Sequence, residues 1–313
     1  MININKKCIQ IKNVNELIKE KPEEFISFVS DDYRNEVKEV ARSIVENKNY
    51  KIIMLSGPSG SGKTTTAHLL QEYMAEMGVG SEIISLDDFY LGADKAPLLP
   101  DGRRDYETVE ALNIPVMQKC MKGLIEDGRC DMPQFDFTKG CPKDKTVPIE
   151  LSDDEVAIFE GIHALNPLII DALPAESLCR IYVSVKTGIY DGKKLLFSPR
   201  ELRLIRRTVR DFKFRNSTPQ NTLQMWTGVV MGEDKYLHPY RNTAEYQINS
   251  VHAFEPAIMK KIATELFSSV GLGDENYTLA IEILKDFEDV IEISQDYVPE
   301  NSLIREFIGP KER

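Results

Sequence analysis

Gly57-Pro58-Ser59-Gly60-Ser61-Gly62-Lys63-Thr64-Thr65 decides the reading of this chain. The stretch follows the apolar run Ile52-Ile53-Met54-Leu55 and precedes a helical pattern from Thr66 to Met74. It has the form G-x-x-x-x-G-K-[ST] in a strand–loop–helix setting, the context that makes a P-loop of that pattern. Glycines let the backbone curl so that successive N–H groups converge on phosphate oxygens, and the positive end of the following helix adds to their field. In that arrangement Gly57, Ser59, Gly60, Ser61, Gly62, Lys63, Thr64 and Thr65 form the cradle. Lys63 reaches the β- and γ-phosphates, and the Thr64 hydroxyl ligates Mg²⁺. The chain is expected to bind a nucleoside triphosphate.

Outward from the loop the pattern alternates. Ser81 to Leu86 reads as a second strand ending in Asp87-Asp88-Phe89-Tyr90, and Val156 to Phe159 as a third ending in Glu160-Gly161. Arg180 to Val185 reads as a fourth and Ala244 to Asn249 as a fifth. Strands alternating with helices predict a three-layer α/β/α fold with a mostly parallel sheet and ligands at the carboxyl ends of the strands. Asp87 and Glu160 fall at those ends. Residues 1–50 read as a mainly helical extension, 51–270 as the P-loop domain, and 271–313 as a closing helix and tail. Two long segments interrupt the domain. One, about 92–148, is proline-rich with a helix expected from Val109 to Met121. The other, about 186–217, is basic: from Lys193 to Arg215 nine Lys/Arg stand against Glu201 and Asp211. Arg203, Arg206, Arg207 and Arg210 recur at three- and four-residue steps, so that several share one helix face.

Composition sets the outer bounds. At 313 residues, 42% hydrophobic and 28% charged, the chain can bury a large core and has the profile of a globular enzyme. Its net charge of −11 argues against nucleic acid and anionic membranes as partners, so an anionic ligand must be drawn by the local basic segment. No apolar run approaches a membrane span, and the start, Met1 to Lys7, lacks the apolar core of a signal peptide. Five scattered cysteines suggest neither disulfides nor zinc, which points to a cytoplasmic protein with free thiols. A homo-oligomer stays open.

The loop alone leaves the task undecided. An LSGGQ-like stretch, as in ABC-type ATPases, and an N-K-x-D, as in GTPases, are both absent. From about Lys51 to Leu266 the chain resembles the uridine kinase and phosphoribulokinase family. The carriers are the P-loop, Asp87-Asp88-Phe89-Tyr90, Pro133-Gln134-Phe135-Asp136-Phe137, Phe159-Glu160-Gly161-Ile162, and Arg203-Leu204-Ile205-Arg206-Arg207-Thr208-Val209-Arg210-Asp211. A kinase acting on a hydroxyl needs a carboxylate beside the γ-phosphate. Asp87 matches the family's base, and strand alternation points its neighbour Asp88 elsewhere. Glu160 stands where such proteins hold an acidic residue near magnesium, so Thr64 and Glu160 are the expected metal pair.

The resemblance also implies an acceptor-binding insertion and an arginine-rich lid. Tyr90, Tyr106, Phe135 and Phe137 correspond to the region around the nucleoside, and Glu107 to an aspartate that binds ribose hydroxyls; a carboxylate suits a vicinal diol because it accepts from both groups. Arg206, Arg210 and Arg215 are the lid candidates, since a planar guanidinium makes bidentate bonds to phosphate. The chain departs from uridine kinases at Gly140, where they carry a base-reading histidine, and at Ser217, where the family has a second arginine. His163 reads as structural or peripheral. The expectation is an ATP- and Mg²⁺-dependent kinase of a small molecule, with Asp87, Lys63, Arg206 and Arg210 as catalytic groups and a nucleoside 5′-hydroxyl such as that of uridine or cytidine as acceptor. The alternatives are another sugar, a sugar phosphate or a pantothenate-like acceptor, or a non-catalytic nucleotide-binding module. The intact set Lys63, Thr64, Asp87 and Glu160 speaks against the last.

Overall fold

The computed structural model describes residues 2, 5–98, 102 and 104–311. The signal-peptide reading rests partly on Met1, Asn3 and Ile4, which lie outside the described residues, as do Leu99–Asp101 and Arg103 of the proline-rich segment and the last two residues of the tail. The principal elements, in chain order, are α1 (Ile11–Glu20), α2 (Pro22–Glu46), β1 (Ile52–Ser56), α3 (Lys63–Glu76), β2 (Ser81–Ser85), α4 (Ile114–Glu126), β3 (Val156–Glu160), β4 (Leu178–Ser184), α5 (Pro199–Phe214), α6 (Pro219–Tyr236), β5 (Tyr246–Asn249), α7 (Glu255–Ser268) and α8 (Tyr277–Asp286).

The apolar runs become one sheet in the order β5-β4-β1-β3-β2, parallel at every pairing. All five residues of β1 are buried, as expected of a central strand covered on both faces. Alternation splits its side chains between two cores. Ile53 and Leu55 join the cluster of α1, α2, α3, α5 and α7, whereas Ile52 and Met54 join that of α4 and the segment 164–173. The chain is therefore a three-layer α/β/α P-loop fold. Helix α2 belongs to the first layer: Tyr33 shares a 2.7 Å hydrogen bond with Thr66 of α3, and Phe25 packs on Phe254 with ring centroids 6.4 Å apart.

Two segments differ from the sequence reading. The lid expected over 186–217 begins only at Pro199. Ahead of it, Ile189–Asp191 and Lys194–Phe197 form a hairpin that pairs in parallel with Ile9–Gln10, because Ile189, Leu196 and Phe197 bury in the first core. A capping box then starts α5: Ser198 Oγ accepts from Glu201 N at 3.2 Å while Glu201 accepts from Ser198 N at 2.7 Å. In the proline-rich segment, Val109–Ala111 is a single 3₁₀ turn and the helix runs from Ile114 to Glu126, capped by Asn113 with Pro115 in its first turn.

Candidate active site

The carboxyl ends of β1, β3 and β2 open into a cleft of about 280 Å³. Its floor is Ser59, Gly60, Ser61, Gly62, Lys63 and Thr64, and its walls carry Asp87, Tyr90, Glu107, Glu160, Arg207, Arg210, Arg215, Glu233 and Glu306. The loop needs its glycines. Gly60 and Gly62 have φ of +73° and +89°, and a Cβ on Gly62 would run into the Leu303 side chain. Gly57 and Thr65 flank the loop: Gly57 packs on the Val183 carbonyl, and the Thr65 hydroxyl donates to Glu306 at 2.5 Å. Lys63 Nζ donates to the Pro58 carbonyl at 3.3 Å, which holds the ammonium over the loop. Among the described residues no ion pair joins Lys63 to Glu160.

Asp87 and Asp88 part company, but through a turn and not through strand alternation, since the strand ends at Ser85. They lie in a 3₁₀ turn, Leu86–Phe89, capped by Ser85. Asp88 Oδ1 turns away to accept from Phe135 N at 3.0 Å, which ties the insertion to the sheet, whereas Asp87 faces the cleft. The Asp87 carboxyl keeps access to solvent at the cleft mouth. Crowding by protein atoms on its other sides pushes its pKa up, against the pull of Lys63 and Arg215. Burial likewise raises Glu160, with Lys63 opposing and Asp87 adding to the rise. Glu160 and Thr64 line the same cleft. Among the described residues no three metal-binding side chains cluster. Magnesium requires no such cage, because it keeps several waters and takes one or two protein oxygens beside phosphate.

Glu107 faces the cleft from the insertion, and burial lifts its pKa to about 7, with Arg207 pulling down and Glu233 pushing up. Gly232 of α6 lets it sit there, since a Cβ at that position would come within 2.6 Å of Glu107 Cβ. Of the four aromatic candidates, Tyr90 lines the cleft. The others continue outward from it: Tyr106 lies 6.4 Å and Phe135 5.8 Å from Tyr90 between ring centroids, and Phe137 5.1 Å from Phe135. They form one aromatic wall, half open to solvent. His163 is buried against Tyr236, and burial lowers its pKa to about 4, so it stays a neutral packing group.

The arginines divide between the two sides of α5. Arg207, Arg210 and Arg215 meet at the buried carboxylate of Asp211, at 3.3, 2.8 and 3.5 Å, and all three line the cleft. Asp211 thus gathers three cations that would otherwise repel one another. Arg207 also donates to Ser59 Oγ at 2.9 Å. The expectation that Arg206 faces phosphate is corrected here. Arg206 is fully buried, paired with Glu255 at 2.5 Å, and donates to the carbonyls of Ser250 at 2.7 Å and Gly60 at 3.2 Å. A buried guanidinium with every donor engaged grips the back of the loop and has none left for a ligand. Arg203 does the same one turn earlier: it is bidentate to Glu233 and donates to Ser59 O at 2.9 Å, while Glu233 accepts from Ser59 N at 3.0 Å.

Three charged cleft residues escaped the sequence reading. Arg207 was in view within the arginine run but passed over, because a four-residue step from Arg206 to Arg210 reads as well as a three-residue step from Arg207. Glu233 and Glu306 come from the end of α6 and from the tail, and no motif marks either.

A family model described as phosphoribulokinase / uridine kinase family matches residues 52–255. Among curated proteins, a uridine kinase of Ureaplasma urealyticum serovar 10 is 26% identical over 200 residues, covering 63% of this chain and 86% of its own. One of Limosilactobacillus reuteri is 30% identical over 190 residues, covering 60% of this chain and 77% of its own. A solved structure described as a possible uridine kinase from Bacillus stearothermophilus superposes with a TM-score of 0.46 at 15% identity, over 69% of this chain and 98% of its own.

Proposed function

The chain belongs to the phosphoribulokinase / uridine kinase family and is a phosphotransferase; from that premise we propose that it moves the γ-phosphoryl group of ATP to a primary hydroxyl, the 5′-hydroxyl of a pyrimidine nucleoside. One observation carries the reading: Asp87, Lys63 and the Asp211-gathered arginines face a single cleft whose floor is the P-loop. Backbone N–H groups of Gly60 to Thr64 and the Lys63 ammonium hold the donor phosphates. Asp87 orients the acceptor hydroxyl and takes its proton, and its raised pKa suits that role better than an ordinary aspartate's. Arg207, Arg210 and Arg215 bear the charge that spreads over the transferring group, in a site where fixed donors need no reorganisation. Thr64 and Glu160 would hold magnesium, which would supply neutralising charge for the donor phosphates. Glu107 accepts from the ribose hydroxyls, and the wall of Tyr90, Tyr106, Phe135 and Phe137 takes the base. Free thiols at all five cysteines support a cytoplasmic setting.

One observation favours a second acceptor class. Gly140 closes the short hairpin of Phe135–Asp136 with Cys141–Pro142, at a φ of +65° that a histidine would strain. With glycine in this turn no base-reading side chain stands here, which supports a sugar or sugar phosphate acceptor instead. ADP release measured with uridine, cytidine, ribulose 5-phosphate and pantothenate decides. The nucleoside reading expects the highest kcat/KM with uridine or cytidine, a preference for ribulose 5-phosphate or pantothenate overturns the acceptor, and no ADP with any member of a wider alcohol panel overturns turnover itself. With the preferred acceptor, Asp87→Asn should lower kcat by roughly 10²–10⁴ with ATP affinity kept; a larger loss in Asp88→Asn would assign the wrong neighbour.

A further inference from the structure

A second and larger cleft, of about 570 Å³, opens on the other side of the P-loop, between the carboxyl end of β4 and the 3₁₀ turn His238–Thr243 that leads into β5. Pro58 is its share of the loop. Lys186, Arg200, Arg203, Arg241 and His238 line it together with the polar groups of Ser184, Asn242 and Gln247, and no carboxylate does. In a chain of net charge −11 that is a marked local excess of cations. Part of it is already answered: Arg203 is held by Glu233, and Asp234, which does not line the cleft, pairs with Arg200 and with His238. Lys186 and Arg241 are different. The Lys186 ammonium donates to the Gln247 carbonyl, at 2.9 Å, and among the described residues neither it nor Arg241 has a carboxylate within ion-pair distance. Two uncompensated cations, Lys186 just past the end of β4 and Arg241 in the 3₁₀ turn His238–Thr243 that leads into β5, face one cavity of small-ligand size.

We propose that this basic cleft is a second anion site, separate from the donor-phosphate loop, that takes a phosphorylated small molecule. A phosphate group would sit between Lys186 and Arg241, whose donors are otherwise unanswered by charge. The uncharged amides of Asn242 and Gln247 and the Ser184 hydroxyl offer both donors and acceptors, which suits the polar body of a metabolite rather than an apolar tail. A membrane surface is a poor match, because the cations line a concavity. The site also touches the machinery. Arg203 lines this cleft, its partner Glu233 lines the catalytic one, and the two together bracket the Ser59 peptide.

Calorimetric titration of the full chain with inorganic pyrophosphate at low ionic strength tests this, with Lys63→Ala used to weaken the P-loop site. Wild type should take up two pyrophosphates per chain. Lys63→Ala should keep one, and adding Lys186→Ala and Arg241→Ala to it should raise that remaining Kd at least ~10-fold. Both added changes are at exposed positions, so the circular dichroism and melting profile should match those of Lys63→Ala. A single pyrophosphate per chain, lost in Lys63→Ala, overturns the proposal. So does an unchanged remaining Kd in the triple variant. A fall in ATP affinity in Lys186→Ala/Arg241→Ala, without a second pyrophosphate in wild type, would give the cleft to the donor nucleotide instead and overturn it as well.

Discussion

The two sides of α5 carry the same residue type to opposite ends. On one side Arg203 and Arg206 are buried, each paired with a buried glutamate, and each donates to a carbonyl of the P-loop. On the other, Arg207, Arg210 and Arg215 share the single carboxylate of Asp211 and turn their remaining donors to the cleft. The first set is charge-balanced within the protein and gives the loop its shape. The second is under-neutralised in its direct ion pairs, three cations to one anion, as the proposed phosphate role requires. Adjacent arginines in one helix thus do different work, and the partner carboxylate count separates them.

That contrast can be broken most forcefully at Arg206. Arg206→Ala leaves the Glu255 carboxylate buried without its partner, at a cost of about 3–5 kcal/mol that urea denaturation would register as a lower midpoint. An unchanged midpoint would mean that the buried side does not hold the fold. On the other side, Arg210→Ala should lower kcat by about 10²-fold, equivalent to ~2.7 kcal/mol, with a smaller change in ATP binding and an unaltered urea midpoint. Asp211→Asn sharpens the picture. It keeps the shape but frees three arginines from their common anchor, so a loss of kcat of roughly 10-fold is expected, and Arg210→Ala on top of it should add less than it does alone. Full additivity in that double-mutant cycle would show that Asp211 does not position Arg210.

The smallest expected effect is one of pH. Burial holds Glu107 at about 7, above the ordinary carboxylate range, so below that pH one of its oxygens carries a proton, and only above it can both oxygens accept from a pair of hydroxyls. Acceptor kcat/KM should therefore climb as pH rises through about 7, by up to tenfold per unit below it. Glu107→Gln should remove that climb while leaving any lower-pH limb due to Asp87. A profile that stays the same in Glu107→Gln would take Glu107 out of acceptor binding.

Much of this was legible in the chain. The apolar run ending in Glu160 announces a strand of a parallel sheet with its carboxylate at the ligand end, because a strand buried on both faces must be apolar until it leaves the sheet. The run ahead of Asp87 is instead the half-exposed edge strand Ser81–Ser85 and is legible from Ile83 and Ile84 alone. The P-loop is local, so its geometry is written in consecutive residues. The lid was less readable. A helical stripe tells which arginines share a face, but which face meets the loop depends on α7 and on the tail, where Glu255 claims Arg206 and Phe307 lies against its guanidinium at 5.1 Å. Glu306 reaches Thr65 from 241 residues away, a separation at which no sequence spacing carries information. The hairpin of 189–197 was hidden for the same reason: its partner strand is Ile9–Gln10, at the far end of the chain.

The neighbouring pair Arg206 and Arg207 offers the most direct test, because one residue of sequence separates the loop-gripping side from the phosphate side. Arg206→Ala and Arg207→Ala should be carried together through urea denaturation and steady-state ADP release with the preferred acceptor. The account predicts that the readouts cross: Arg206→Ala loses several kcal/mol of stability, whereas Arg207→Ala unfolds at the wild-type midpoint and loses about 10²-fold in kcat. Equal losses of kcat in two equally stable variants would contradict it.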